Sequence, residues 1–171
     1  MTNGPHVAIR PAVDTDVEAI HSAVLAIAEA VGESHKVRST PEDIRRFGFG
    51  QAPSFAVLIA EIDGRFAGCC LYFPSFSTWF GAPGAYVQDF YVRDEFRGQG
   101  IGERLLRRLA ALTRESGGCY IRLSVDKQNR RAQAFYSRCG LRLSDSEQIH
   151  AARGEDFQML ADADEPDQVS R

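Results

Sequence analysis

No apolar run in this chain approaches the ~20 residues that cross a bilayer, so no membrane-spanning helix is expected. Excess positive charge is also missing. Twenty Lys and Arg stand against 23 Asp and Glu, for a net charge of −3, so neither nucleic acid nor an anionic membrane surface is expected as a partner. Cysteine is scarce, with four residues at 69, 70, 119 and 139. None falls in a CxxC spacing and no His–Cys cluster occurs, so no metal is expected. Cys69 and Cys70 lie in a strand-like run, which puts their side chains on opposite faces as buried free thiols. The opening Met1–His6 is polar and lacks the apolar stretch of a secretory leader, which makes the cytoplasm the expected location.

What is present is an ordinary globular composition, 44% hydrophobic and 25% charged over 171 residues, enough for one domain. Val7-Ala8-Ile9 reads as a strand. Thr15 and Glu18 read as a capping box, followed by Val17, Ile20, Val24, Ile27 and Val31 at helical spacing until Gly32. Thr40-Pro41 opens a second, short helix that ends near Gly48. Phe55–Glu61 and Arg65–Phe73 read as strands joined by a tight turn at Asp63-Gly64. Residues 74–84, with two prolines and two glycines, read as a loop. Strands over Tyr86–Val92 and Cys119–Val125 flank a helix over Gly98–Ser116. Asn129 opens a helix ending at Cys139-Gly140, and Leu141–Ser144 and Phe157–Leu160 read as closing strands. The expectation is an α/β (α+β) fold: a mixed, mostly antiparallel sheet of about seven strands flanked by four helices. A single domain would span 1–161, with residues 162–171 an acidic, frayed tail. The unit from 86 to 125 would be a parallel crossover.

The most informative stretch is Arg97-Gly98-Gln99-Gly100-Ile101-Gly102, between an apolar strand and an amphipathic helix. Glycines leave backbone N–H groups uncovered at a helix N-terminus, which attracts phosphate. No Gly-Lys-Ser/Thr follows, so this is not a P-loop, and the dinucleotide fingerprint GxGxxG is absent. Gly98, Gly100 and Gly102 permit close approach of backbone to phosphate oxygens, and Arg97 can add charge-assisted hydrogen bonds. The motif RxxGxG, followed by Asn129, Ala134-Phe135-Tyr136 and Cys139-Gly140, resembles the GNAT family of acetyl-CoA-dependent N-acetyltransferases. Within it the likeness runs to spermidine/spermine-type (diamine) N-acetyltransferases, through Ile9-Arg10-Pro11-Ala12, Gly48-Phe49-Gly50, Ser77-Thr78-Trp79-Phe80-Gly81 and Asp89-Phe90-Tyr91-Val92.

The resemblance implies a GNAT fold and acetyl-CoA as co-substrate. It implies that Phe90, Tyr91 and Val92 pair with the pantetheine arm like an added strand. Arg97, Gly98, Gln99, Gly100, Ile101 and Gly102 would bind the pyrophosphate, and Asn129 and Ala132 would lie along the cofactor. Tyr136 would protonate the departing sulfur as general acid, a contribution of ~10²–10⁴-fold for a well-placed acid. The glutamate that such polyamine enzymes place before the Asp89-Phe90 stretch is Gln88 here, which neither accepts a proton nor carries charge. Gln88 and Trp79 are therefore expected as acceptor contacts. By strand alternation Asp89 should point to the opposite face from Gln88. The expected reaction is direct acetyl transfer to the primary amine of a small molecule (an amino acid, monoamine or diamine), with an amino acid or monoamine favoured over spermidine, by a homodimer. The loss of the glutamate motivates one alternative, a non-catalytic coenzyme A-binding module; a peptide or protein N-acetyltransferase, which would need an open acceptor groove, is another.

Overall fold

A computed structural model describes residues 6–163. These residues fall into two compact units, one ending at Leu141 and one beginning at Arg142. The first unit is a five-stranded sheet with strands in chain order: β1 Val7–Pro11, β2 Ala56–Ile62, β3 Arg65–Ser77, β4 Ala82–Val92 and β5 Tyr120–Leu123. The first three pairings are antiparallel and β4–β5 is parallel, as the intervening helix requires. No helix of the described residues is long and apolar enough to cross a membrane.

Helices cover both faces. On one, α3 (Ile101–Glu115) packs Ile101, Leu105 and Leu109 on Leu58, Ala60, Cys70, Ala85 and Val87. On the other, α1 (Val17–Ala30) and α2 (Pro41–Phe49) pack Val17, Ile20, Ala23 and Ile44 on Val57, Ile59, Cys69 and Leu71. Cys69 and Cys70 are buried free thiols on opposite faces, as alternation dictates. The Asp63-Gly64 turn forms with both residues in the left-handed region, φ 49° and 76°. Thr40 caps α2, accepting from Asp43 N–H, with Pro41 at its first turn.

Three expectations fail for physical reasons. The cap of α1 is not Thr15. The carboxylate of Asp16, before the helix, is held instead by the Arg10 guanidinium (2.7 Å) and by Val13 N–H (2.7 Å). Most of residues 74–84 is strand, because β3 and β4 form a long hairpin whose tip is only 78–81. Its prolines are tolerated because β2 pairs with β3 only up to Tyr72 and β5 joins β4 only from Gly84, so Pro74 and Pro83 have a ladder on one side only. The count of about seven strands becomes five: Leu141–Ser144 is irregular and Phe157–Leu160 lies in α5, Glu155–Asp162. A short apolar run does not distinguish strand from helix by period, and Glu155 and Asp156 suit a helix start. With α4 (Arg130–Arg138) there are five α-helices among the described residues, not four. The acidic tail from residue 164 lies outside the described residues.

Candidate active site

β4 and β5 pair only from Gly84↔Tyr120 to Val87↔Leu123. Beyond Val87, β4 continues to Val92 held by β3 alone, so one side of Gln88–Val92 has no strand partner among the described residues. The departure coincides with a bulge. Tyr72 pairs with Val87 and Leu71 with Asp89, which leaves Gln88 as the extra residue of β4. The bulge reverses the parity of the strand. Ala85 and Val87 face α3, and so do Phe90 and Val92, one residue later than alternation allows, while Tyr91 faces α1.

The glycine turn follows the free edge. Gly98 and Gly100 both have φ 77°, a backbone that any side chain would strain. Gly100 is the N-cap of α3 and supplies no side-chain cap, so the first-turn N–H groups face outward in the geometry that suits a phosphate. Arg97 is partly committed to building the turn: Nε donates to Val92 C=O (3.0 Å) and its guanidinium pairs with Asp94 (2.6 Å). Gln99 donates to Glu95 C=O (3.1 Å), and Ile101 is buried in the core, so its contribution to a ligand is backbone only. A Cβ on Gly102 would lie 2.9 Å from the Phe135 ring and 3.4 Å from Phe90, so this glycine lets α4 approach α3.

That approach assembles an aromatic cluster at the edge. Phe90 meets Phe135 at 5.8 Å and Tyr136 at 5.9 Å between ring centroids, the latter edge-on. Burial pushes the Tyr136 phenol well above the usual tyrosine range, so it keeps its proton at neutral pH. Asn129 caps α4, accepting from Ala132 N–H at 3.0 Å, which ties both residues to the start of the helix that carries Tyr136. Gln88 is exposed at the bulge. Trp79 is 95% exposed at the hairpin tip, and Phe76 and Phe80 beside it are also exposed. The tip is six strand residues from the bulge, roughly 20 Å at 3.3 Å per residue, so one chain does not bring Trp79 to the free edge.

Sequence reasoning placed Asp89 by simple alternation, on the face opposite Gln88, and gave it no role in the site. The bulge pairs it with Leu71, and directly opposed residues share a face, so it lies toward α1 with Cys69 and Tyr91. Burial raises its carboxyl above the ordinary aspartate range. The parity shift appears in the sequence only as the spacing of Ala85 and Val87 against Phe90 and Val92, which the intervening Tyr91 obscures.

A glycine turn at a helix N-terminus, next to a strand edge released by a bulge, is a site that suits a phosphate-bearing ligand. The profile of the Acetyltransferase (GNAT) family matches residues 23–141, and the chain belongs to that family. It is an acetyltransferase with the GNAT fold, and enzymes of this family use acetyl-CoA. A thialysine N-epsilon-acetyltransferase of Bos taurus is 36% identical over 166 residues, 91% of this chain and 97% of that protein. Spermidine/spermine N(1)-acetyltransferase-like protein 1 of Homo sapiens is 30% identical over 154 residues, 85% of this chain and 22% of that one. Among solved structures, an integron cassette protein from the mobile metagenome of V. cholerae has TM-score 0.77 at 19% identity, covering 92% of this chain and 99% of its own. An aminoglycoside N-acetyltransferase in complex with CoA has TM-score 0.68 at 17% identity, covering 90% and 99%.

Proposed function

We propose that this enzyme transfers the acetyl group of acetyl-CoA to the primary amine of a small molecule, by direct attack of the neutral amine on the thioester. The observation that carries this reading is the free edge of β4 between the bulge at Gln88 and the glycine turn, with Tyr136 alongside. The donor set suits the co-substrate. Phe90, Tyr91 and Val92 present strand backbone to the amides of the pantetheine arm, and the N–H groups of residues 98–102 receive the pyrophosphate with Arg97 adding charge. Asn129 and Ala132 line the arm from the start of α4. Tyr136, protonated at neutral pH, gives its proton to the leaving sulfur. A backbone N–H at Tyr91–Val92 holds the oxyanion.

The acceptor is a terminal amine on a small amino acid or a monoamine, contacted by Gln88 through hydrogen bonding rather than charge. Spermidine carries several charges and meets no glutamate at position 88. The thialysine acceptor in the names of several relatives supports an amino-acid substrate. Residues 1–161 work as one acetyltransferase domain, and the enzyme is a homodimer in which the exposed tip around Trp79 reaches the acceptor site of a second subunit. Four free thiols favour the reducing cytosol as its compartment.

Release of coenzyme A thiol, measured with lysine-like amino acids, monoamines, spermidine, aminoglycosides and peptides side by side, tests this reading. The small amino acids or monoamines should have the highest kcat/KM, and spermidine a value at least tenfold lower. Turnover of peptides with none of free amines would replace it with peptide or protein acetylation.

A further inference from the structure

With Gln88 where a carboxylate would serve as proton acceptor, the reaction lacks an evident base. An alkyl amine of pKa ~10.4 is neutral in only about one molecule in a thousand at pH 7.4, so the loss is large unless another group takes the proton. We propose that Asp89 is that proton acceptor, brought into position by the bulge; this rests on the amine-acetylation reading above.

Four observations carry the proposal. First, the bulge sets the face. Because Gln88 is the extra residue, Asp89 stands opposite Leu71 on the α1 side, while its neighbour Phe90 turns to the α3 side against Tyr136. Consecutive residues of one free strand edge thus direct a carboxylate to one face and the aromatic contact of the general acid to the other. An amine arriving from the α1 face would meet the base before the thioester, and the sulfur would leave toward the acid. Second, a cleft of about 400 Å³ opens on the α1 side, lined by Ala19, Ser22 and Ala23 of α1, Phe66 of β3, Tyr91 of β4 and Arg93 just past β4; Tyr91 stands two residues from Asp89 on the same face. Third, three of the other acidic groups are already engaged: Asp16 and Glu61 bind Arg10, and Glu33 pairs with Lys36. Fourth, burial raises the Asp89 carboxyl above its ordinary value. A carboxylate in this state takes up a proton more readily than a solvated aspartate.

The step balances as follows. The ammonium form of the acceptor gives one proton to the Asp89 carboxylate, and its nitrogen lone pair forms the C–N bond at the thioester carbonyl. The C–S bond then breaks and sulfur takes the phenolic proton of Tyr136. The second nitrogen proton passes through water to the tyrosinate, and Asp89 loses its proton to solvent. The products are the amide, coenzyme A thiol and one released proton.

The full-length enzyme tests this with two acceptors, one strongly basic and one weakly basic that is largely neutral at the assay pH. Asp89→Asn should lower kcat about a hundredfold for the strongly basic amine, and at most tenfold for the weakly basic one. Its Kd for coenzyme A, measured by calorimetry, should stay within twofold of the parent. Gln88→Glu, at the proposed acceptor contact, should shift the KM for the acceptor without a tenfold gain in kcat, because a base is already present. Equal losses for the two amines in Asp89→Asn, or kcat within threefold of the parent, would overturn the assignment. So would a tenfold or greater gain in Gln88→Glu. If the parent acetylates no amine at all, the amine-acetylation reading fails and the Asp89 assignment falls with it.

Discussion

In the reading proposed here, burial prepares Tyr136 and Asp89 for opposite tasks. Losing water disfavours the charged form of each group, so the phenol holds its proton more firmly and the carboxyl takes one up more readily. Tyr136→Phe keeps the ring contacts with Phe90 and Phe135 and removes only the proton donor. Single-turnover acetyl transfer should fall about a hundredfold with the Kd for acetyl-CoA unchanged. Unchanged chemistry at saturating acceptor would remove Tyr136 from its role. The same physics makes Cys69 inert: burial pushes its thiol up to about 12, so neither it nor Cys70 supplies a thiolate nucleophile at neutral pH. This agrees with direct attack by the amine.

Among the elements, the β3–β4 hairpin makes the largest demand for explanation. Its strands run to Ser77 and from Ala82, and its tip leaves Phe76, Trp79 and Phe80 exposed together. Exposed aromatic clusters of this kind mark interaction surfaces, and a second subunit is the partner proposed here. Sedimentation of the native chain at micromolar concentration should show a dimer, and Trp79→Ser should shift it toward monomer and raise the KM for the acceptor. A native monomer would show that the tip does not serve in this way. The hairpin also shows why residues 74–84 misled the sequence reading. Proline and glycine usually punctuate a chain, but here each proline sits where a ladder exists on one side only. The turns at Asp63-Gly64 and 98–102, by contrast, were legible because local backbone chemistry decides them.

At the scale of the whole molecule, Arg10 of β1 ties the start of the first unit together by binding Asp16 ahead of α1 and Glu61 of β2. The hydrogen bonds from Arg10 hold the Asp16 carboxyl below the usual aspartate range. A carboxyl lowered on folding stabilises the protein above its unfolded value of ~3.9, and that stability is lost as pH falls through the folded value. Melting should therefore become acid-sensitive below about pH 4, and Asp16→Asn should lose up to about 1 kcal/mol at pH 7 while showing a flatter acid limb. Identical acid limbs in both proteins would show that the ion pair contributes nothing.

Local chemistry was enough to find the elements that the proposed donor site uses. The glycine turn, the Asn129 cap, the apolar strand before the turn and the aromatic pair Phe135-Tyr136 act through backbone angles and side-chain types, and these are written along the chain. The acceptor side was not reachable in that way. Whether Asp89 or Gln88 faces α1 depends on one unpaired residue between β3 and β4, and the closing strands expected at 141–144 and 157–160 depended on partners that no local pattern names. Strand parity and sheet membership are set by pairing between distant segments, so only the tertiary structure could decide them.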